Sequence, residues 1–257
     1  MNLKLVPLAA LVIARASAAD PASAPDNLPP HELTEFYAPV PPVITAPAGG
    51  IPSDAIVVFD GKNLDNWESA KNPGQPAPWR LEDGAVIVEP KTGDIRTKQS
   101  FGDIQLHLEF REPVKIVGDS QGRGNSGVFF MGLYELQVLD SYNNPTYVNG
   151  QVGSIYKQHV PLVNAARPPG EWQTYDAVFL APRFDAAGQL LRPAYFTVFH
   201  NGVLIQYHVA ARGPTAWRGT PPYVAHPAKL PLQLQEHGNP VAFRNIWIRE
   251  ITLPETK

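Results

Sequence analysis

Apolar and polar residues alternate in short runs along most of the chain. The run at 104–110 is the clearest: Leu106, Leu108 and Phe110 share one side, and Gln105, His107 and Glu109 share the other. Successive side chains of a strand point to opposite faces, so this run predicts a strand with one buried and one wet face. Comparable runs occupy 56–59, 85–88, 128–131, 135–139, 172–180, 230–235 and 243–251, with Gly, Pro, Asn and Asp between them. At 195–207 two runs flank Asn201-Gly202, which supplies the positive φ angles of a two-residue hairpin turn. No long stretch keeps a 3.6-residue period. The pattern predicts an all-β fold of two antiparallel sheets packed as a sandwich. If one sheet curves, its outer polar face becomes a concave cleft.

The two ends of the chain differ from this texture. Lys4, an apolar run at 5–14 and Ala16-Ser17-Ala18 follow the order of a secretory signal peptide, expected over 1–18. The run is too short to span a bilayer, which takes about 20 residues. Segment 19–54 is rich in Pro and Ala, with nine prolines in it, and reads as a linker or an arm. The sandwich is expected over 55–253. An exported location follows, periplasmic or secreted, with no spanning segment.

Composition narrows the function classes. A net charge of -3 and the lack of any Lys/Arg block give no footprint for nucleic acid. With no cysteine, the chain has neither a thiol nucleophile nor a disulfide framework, so stability must come from the core. His159, His200, His208 and His226 do not fall at a metal-binding spacing, and no zinc-protease, calcium-loop or serine-hydrolase motif is present.

Candidate chemistry lies in the polar rows. In Glu135-Leu136-Gln137-Val138-Leu139-Asp140, burial of Leu136 and Val138 puts Glu135 and Gln137 on the exposed face. Asp140 joins them only if the strand bulges or ends at Leu139. His107 and Glu109 belong to a second row; Gln233 and Gln235 form a third, followed by Glu236 and His237. Arg123 and Asn125 stand just before the acidic strand in a glycine-rich loop. Arg244 is a further hydrogen-bond donor, and Trp217, in a Gly/Pro-rich loop, is placed to stack on a sugar ring. A solvated polar face explains any one row; carboxylates, imidazoles and amides together point to a site.

The segments FDGKNLDNW, TKQSFGDIQLHLEFR, NSGVFFMGLYELQVLDS, PGEWQTYDAVFLAPRFD and PLQLQEHGNPVAFRNIWI, in that order, resemble the 3-keto-disaccharide hydrolase domain family of bacterial secreted proteins. The resemblance implies a concanavalin A-like jelly roll and a glycoside substrate already oxidised to a ketone at C3. Glu135, Gln137 and Asp140 stand in a motif similar to the E-x-D-x-x-E strand of glucanases, with Gln137 in place of the central acid. A retaining glycosidase needs two carboxylates about 5 Å apart, so the substitution argues against that route. A C3 ketone opens another: removal of the C2 proton, expulsion of the C1 substituent and addition of water. From residue chemistry, Glu135 or His237 is the base and Asp140 or Glu236 the acid. Arg123, Gln137 or a divalent ion held by Glu135, Asp140 or His237 would polarise the ketone. The competing readings are a non-catalytic carbohydrate-binding domain and a glucanase-like hydrolase.

Overall fold

Alternation fixes the sheet faces. In Ile104–Arg111, burial alternates residue by residue, with Ile104, Leu106, Leu108 and Phe110 inside. The computed structural model describes residues 30–252, and the expected leader at 1–18 lies outside them, as does the start of the Pro/Ala-rich segment. Two units divide the chain. In the first, residues 30–43 carry a 3-10 turn at His31–Thr34, closed by the Thr34 hydroxyl donating to the His31 carbonyl at 3.0 Å. The second, from residue 44 on, is the sandwich. No helix among the described residues is long and apolar enough to cross a membrane.

The sandwich has two main antiparallel sheets. The larger runs, in spatial order, β13 (Val203–Ala210), β12 (Tyr195–His200), β9 (Gln173–Leu180), β6 (Ile104–Arg111), β15 (Ala242–Glu250), β4 (Ala85–Ile87) and β3 (Arg80–Glu82). Strand β1 (Ile56–Phe59) also pairs with β15, and the Asp54 carboxylate beside it receives two hydrogen bonds from Arg249, at 2.8 and 2.7 Å. The smaller sheet runs β2 (Trp67–Ser69), β5 (Ile95–Phe101), β14 (Leu230–Leu234), β7 (Ser126–Phe130) and β8 (Tyr134–Val138). A two-stranded ribbon, β10 (Arg183–Phe184) with β11 (Leu190–Arg192), stands apart. Antiparallel pairing throughout and the scarcity of helix agree with the all-β sandwich expected from the alternation.

Between the sheets lies one continuous apolar core. Phe130 packs on Phe179 and Phe196, with ring centroids 4.9 and 5.2 Å apart, and Phe110 packs on Tyr175 at 4.7 Å. Trp67 and Trp79 are buried in it, Trp247 is buried on the outer face of the larger sheet, where it stacks on His107 with ring centroids 5.1 Å apart, and Trp172 sits at the rim under Arg244. The hairpin at Asn201-Gly202 forms as the turn chemistry requires, with φ of 52° and 78°.

Candidate active site

The outer face of the five-stranded sheet is set by the register of β7 and β8. Phe129 pairs with Glu135 and Gly127 with Gln137, so all four side-chain positions face away from the core. Gln233 of β14 pairs with Phe129 and extends the row. These residues do not face open water. Glu135 is 3% exposed and Gln137 1%, a departure from the wet face that alternation implied.

Two loops make the difference. Segment 153–156 runs along the free edge of β8: the Gln137 N–H donates to the Ser154 carbonyl at 3.0 Å and the Tyr156 N–H to the Glu135 carbonyl at 3.2 Å. Along the same edge, the Glu135 N–H donates to Thr215 Oγ1 at 2.9 Å, and the Thr215 N–H to the Leu133 carbonyl at 2.7 Å. Lys157 Nζ and Gln158 Nε2 donate to the carbonyls of Trp217 and Gly213, at 2.6 and 3.0 Å, and bind the two loops to each other. Edge backbone groups that would otherwise be unpaired are thereby satisfied.

Together the sheet and the loops enclose a cleft of about 240 Å³. Glu135, Gln137, Asn125, Gln235, His237 and Trp217 all line it, so six of the residues singled out in the sequence meet in one place. Phe129, Tyr156, Thr215 and Ala216 complete it, and the last three carried no signal in the sequence, since they lie on loops without periodicity.

The cleft is built to receive hydrogen bonds. The Oε1 atoms of Gln137 and Gln235 are buried and have no partner among the described residues. Gln137 is held from behind, where its Nε2 donates to Gln121 Oε1 and the Gly150 carbonyl, each at 3.2 Å. Unpartnered buried carbonyl oxygens are costly, and a ligand rich in hydroxyl groups relieves the cost.

Glu135 is the buried acid of the cleft. Its carboxyl makes no hydrogen bond among the described residues, and its pKa is pushed up to about 8, first by burial and then by the negative charge of Asp94. At neutral pH it therefore holds its proton. A Cβ on Gly127 would lie 2.7 Å from Glu135 Oε1 and 3.0 Å from Phe129, so the absence of a side chain there makes room for the acid. Asp94, another residue without sequence signal, accepts hydrogen bonds from Gln233 Nε2 and the Glu236 N–H, both at 2.7 Å. It thus fixes the segment that delivers Gln235 and His237. Burial raises its own pKa. The Tyr156 phenol, 2.6 Å from the Tyr147 hydroxyl, is kept neutral, first by burial and then by that hydrogen bond.

Six other expected residues are elsewhere. β8 ends at Val138, and Asp140 turns from the cleft to receive the Arg123 Nε–H at 2.6 Å. Both line a separate cavity rather than the cleft that Glu135 lines. The metal set of Glu135, Asp140 and His237 is divided in the same way. No group of three or more acidic or His side chains among the described residues is placed to hold a metal ion. Glu236 is outside the cleft lining, its carboxylate occupied by the Gly238 N–H at 2.5 Å. His107, Glu109 and Arg244 lie on the outer face of the eight-stranded sheet. There His107 Nδ1 pairs with Asp176 at 2.7 Å, and Arg244 donates to Glu109 at 2.6 Å while stacking over Trp172. Alternation showed which face each residue takes, but not to which sheet the strand belongs.

Residues 54–249 match the model of the 3-keto-alpha-glucoside-1,2-lyase-like domain. The chain belongs to this family. A solved structure from Parabacteroides distasonis ATCC 8503, a candidate glycosyl hydrolase, is 53% identical over 86% of this chain and 97% of its own, with a TM-score of 0.81. A second candidate glycosyl hydrolase from that organism shares the fold at 20% identity and a TM-score of 0.57, over 77% of this chain and 94% of its own. Among curated proteins none is significantly similar to this chain.

Proposed function

We propose that the domain cleaves the glycosidic bond of a glycoside carrying a ketone at C3, by elimination across C1–C2 followed by hydration. The observation that carries this reading is the buried and unpartnered Glu135, its pKa pushed up by burial, in a cleft whose amide oxygens await hydroxyl donors. The family's description as a 1,2-lyase type supports the elimination. The departure of Asp140 supports it too, because the cleft then lacks the carboxylate pair of a retaining glycosidase.

Each step falls to a residue of the cleft. The ketone acidifies the C2 proton, and the exposed imidazole of His237, at the cleft edge, takes it. The electron pair left at C2 forms the C1–C2 double bond and breaks the bond from C1 to the leaving oxygen. Glu135 gives its proton to that oxygen. The neutral Tyr156 phenol donates to O3, where negative charge gathers when the C2 proton leaves. Water then adds its hydroxyl to C1 and gives its proton to Glu135, while His237 returns a proton to C2, so both residues are restored and the net change is hydrolysis. Gln137 and Gln235 accept from sugar hydroxyls, and Trp217 covers the ring. The leader pattern at 1–18 supports action in the periplasm or outside the cell.

The test is turnover of a 3-keto-glucoside beside its unoxidised parent. Release of the aglycone from the keto form alone is expected. Equal cleavage of both would return the protein to ordinary glycosidases, and binding of sugar without cleavage of either would make the cleft a recognition site.

A further inference from the structure

A second cavity of about 240 Å³ lies beside the cleft, and the proposed chemistry does not use it. The two share a wall. Asn125 and His237 face the cleft, whereas Gly124, Gly238 and Asn239, next to them in the chain, face the second cavity. The Asn125 N–H donates to Asn239 Oδ1 at 3.0 Å and closes the wall. His237 and Gly238, in this wall, are exposed, and a Cβ on Gly238 would meet nothing within 4 Å.

The lining of this cavity is mostly apolar, from Pro113, Ile116, Val117 and Pro240, and Ile116 and Val117 remain 52% and 64% exposed. Glu112, Arg123, Asp140, Asn239 and the exposed Lys115 supply its polar groups, and only Glu112 has a buried atom without a partner among the described residues. Glu112 is 1% exposed; its Oε2 accepts from Gln173 Nε2 at 2.7 Å, and its Oε1 has no partner among the described residues. Arg123, at the side, is already engaged by Asp140 and the Tyr142 carbonyl, at 2.6 and 2.9 Å.

We propose that this cavity receives the leaving group of the glycoside, and that the group it fits is an apolar aryl or alkyl aglycone with at most one polar substituent. The proposal rests on the reading of the cleft as the place of cleavage. Size allows it, since cavities of roughly 150 Å³ hold a benzene ring. The polar inventory decides between aglycones. A second sugar carries several hydroxyl groups, each needing a partner once buried. The cavity offers a single unpaired buried oxygen, on Glu112, among the described residues. Burial holds that carboxyl protonated up to about pH 8, so it meets one acceptor or donor on the ligand without a buried charge.

Methyl and benzyl 3-keto-glucosides, whose leaving alcohols are similar in acidity, provide the test, together with 4-fluorobenzyl alcohol as a free probe followed by fluorine NMR. The benzyl substrate should have a KM about tenfold lower than the methyl one, the preference expected from burying a ring. Val117→Glu should reduce that preference about tenfold and abolish binding of the probe. Glu135→Gln should still bind the probe. Turnover of both substrates with equal KM, or a preference and probe binding that Val117→Glu does not reduce, would overturn the proposal and leave the cleft reading standing. Cleavage of neither substrate would remove the cleft reading and the leaving-group role with it.

Discussion

At the scale of single residues, Glu135 connects the sequence to the chemistry. Burying a carboxyl disfavours its charged form, so its pKa rises from 4.5 to about 8. The folded state then binds the proton more tightly than the unfolded state. Stability from this group is complete below about pH 4.5 and is lost as pH rises towards 8. Glu135→Gln removes the ionisation, so it should raise Tm at pH 8 by on the order of 10 °C relative to wild type and change it little at pH 4.5. Thermal melts at the two pH values check the sign. Catalysis through the protonated acid should fall as pH rises through about 8. Gly127 offers a second test at this scale. Gly127→Ala would push a methyl group against Glu135 Oε1, and a misplaced acid should lower kcat about 100-fold with the fold intact. Circular dichroism beside the rate assay separates displacement from unfolding.

At the scale of elements, the cleft exists because loops cover a sheet face that alternation alone leaves open. The strand pairs with simple alternation or a defined turn, such as β6 and the Asn201-Gly202 hairpin, could be read directly from the sequence. β5 could not: in Ile-Arg-Thr-Lys-Gln-Ser-Phe, charged and amide residues interrupt the apolar period, and the register against β14 shifts between Pro231 and Gln233. The site was legible to the same degree. Glu135, Gln137 and Gln235 could be placed on outer faces, but Asp94, Tyr156 and Thr215 act through contacts far apart in sequence. His107 and Glu109 look the same as Gln233 and Gln235 until the strand order assigns them to the other sheet. Trp217 tests the loop contribution. It is 67% exposed and lines the cleft, so Trp217→Ala should raise KM about tenfold through lost ring contact and leave Tm nearly unchanged. An equal fall in kcat and Tm would instead mean that the loop is part of the core.

At the scale of the whole molecule, three buried groups set the pH range of stability. Glu112 and Glu135 both have pKa values raised to about 8 by burial, and His200 is lowered to about 3, again mainly by burial. The two acids withdraw stability as pH rises from 4.5 to 8. His200, neutral in the fold, withdraws it as pH falls from 6.5 towards 3. Between 6.5 and 8 Glu112 and Glu135 act and His200 does not, so urea midpoints should decline across that interval. The Glu112→Gln and Glu135→Gln double variant should flatten the decline. The most direct measurement is the rate at which wild type and Glu135→Gln release the aglycone from a 3-keto-glucoside at neutral pH. A fall of about 1,000-fold in the variant, with its fold retained, is expected of a proton donor to the leaving oxygen. A variant that keeps the wild-type rate would contradict the assignment of the chemistry to this cleft.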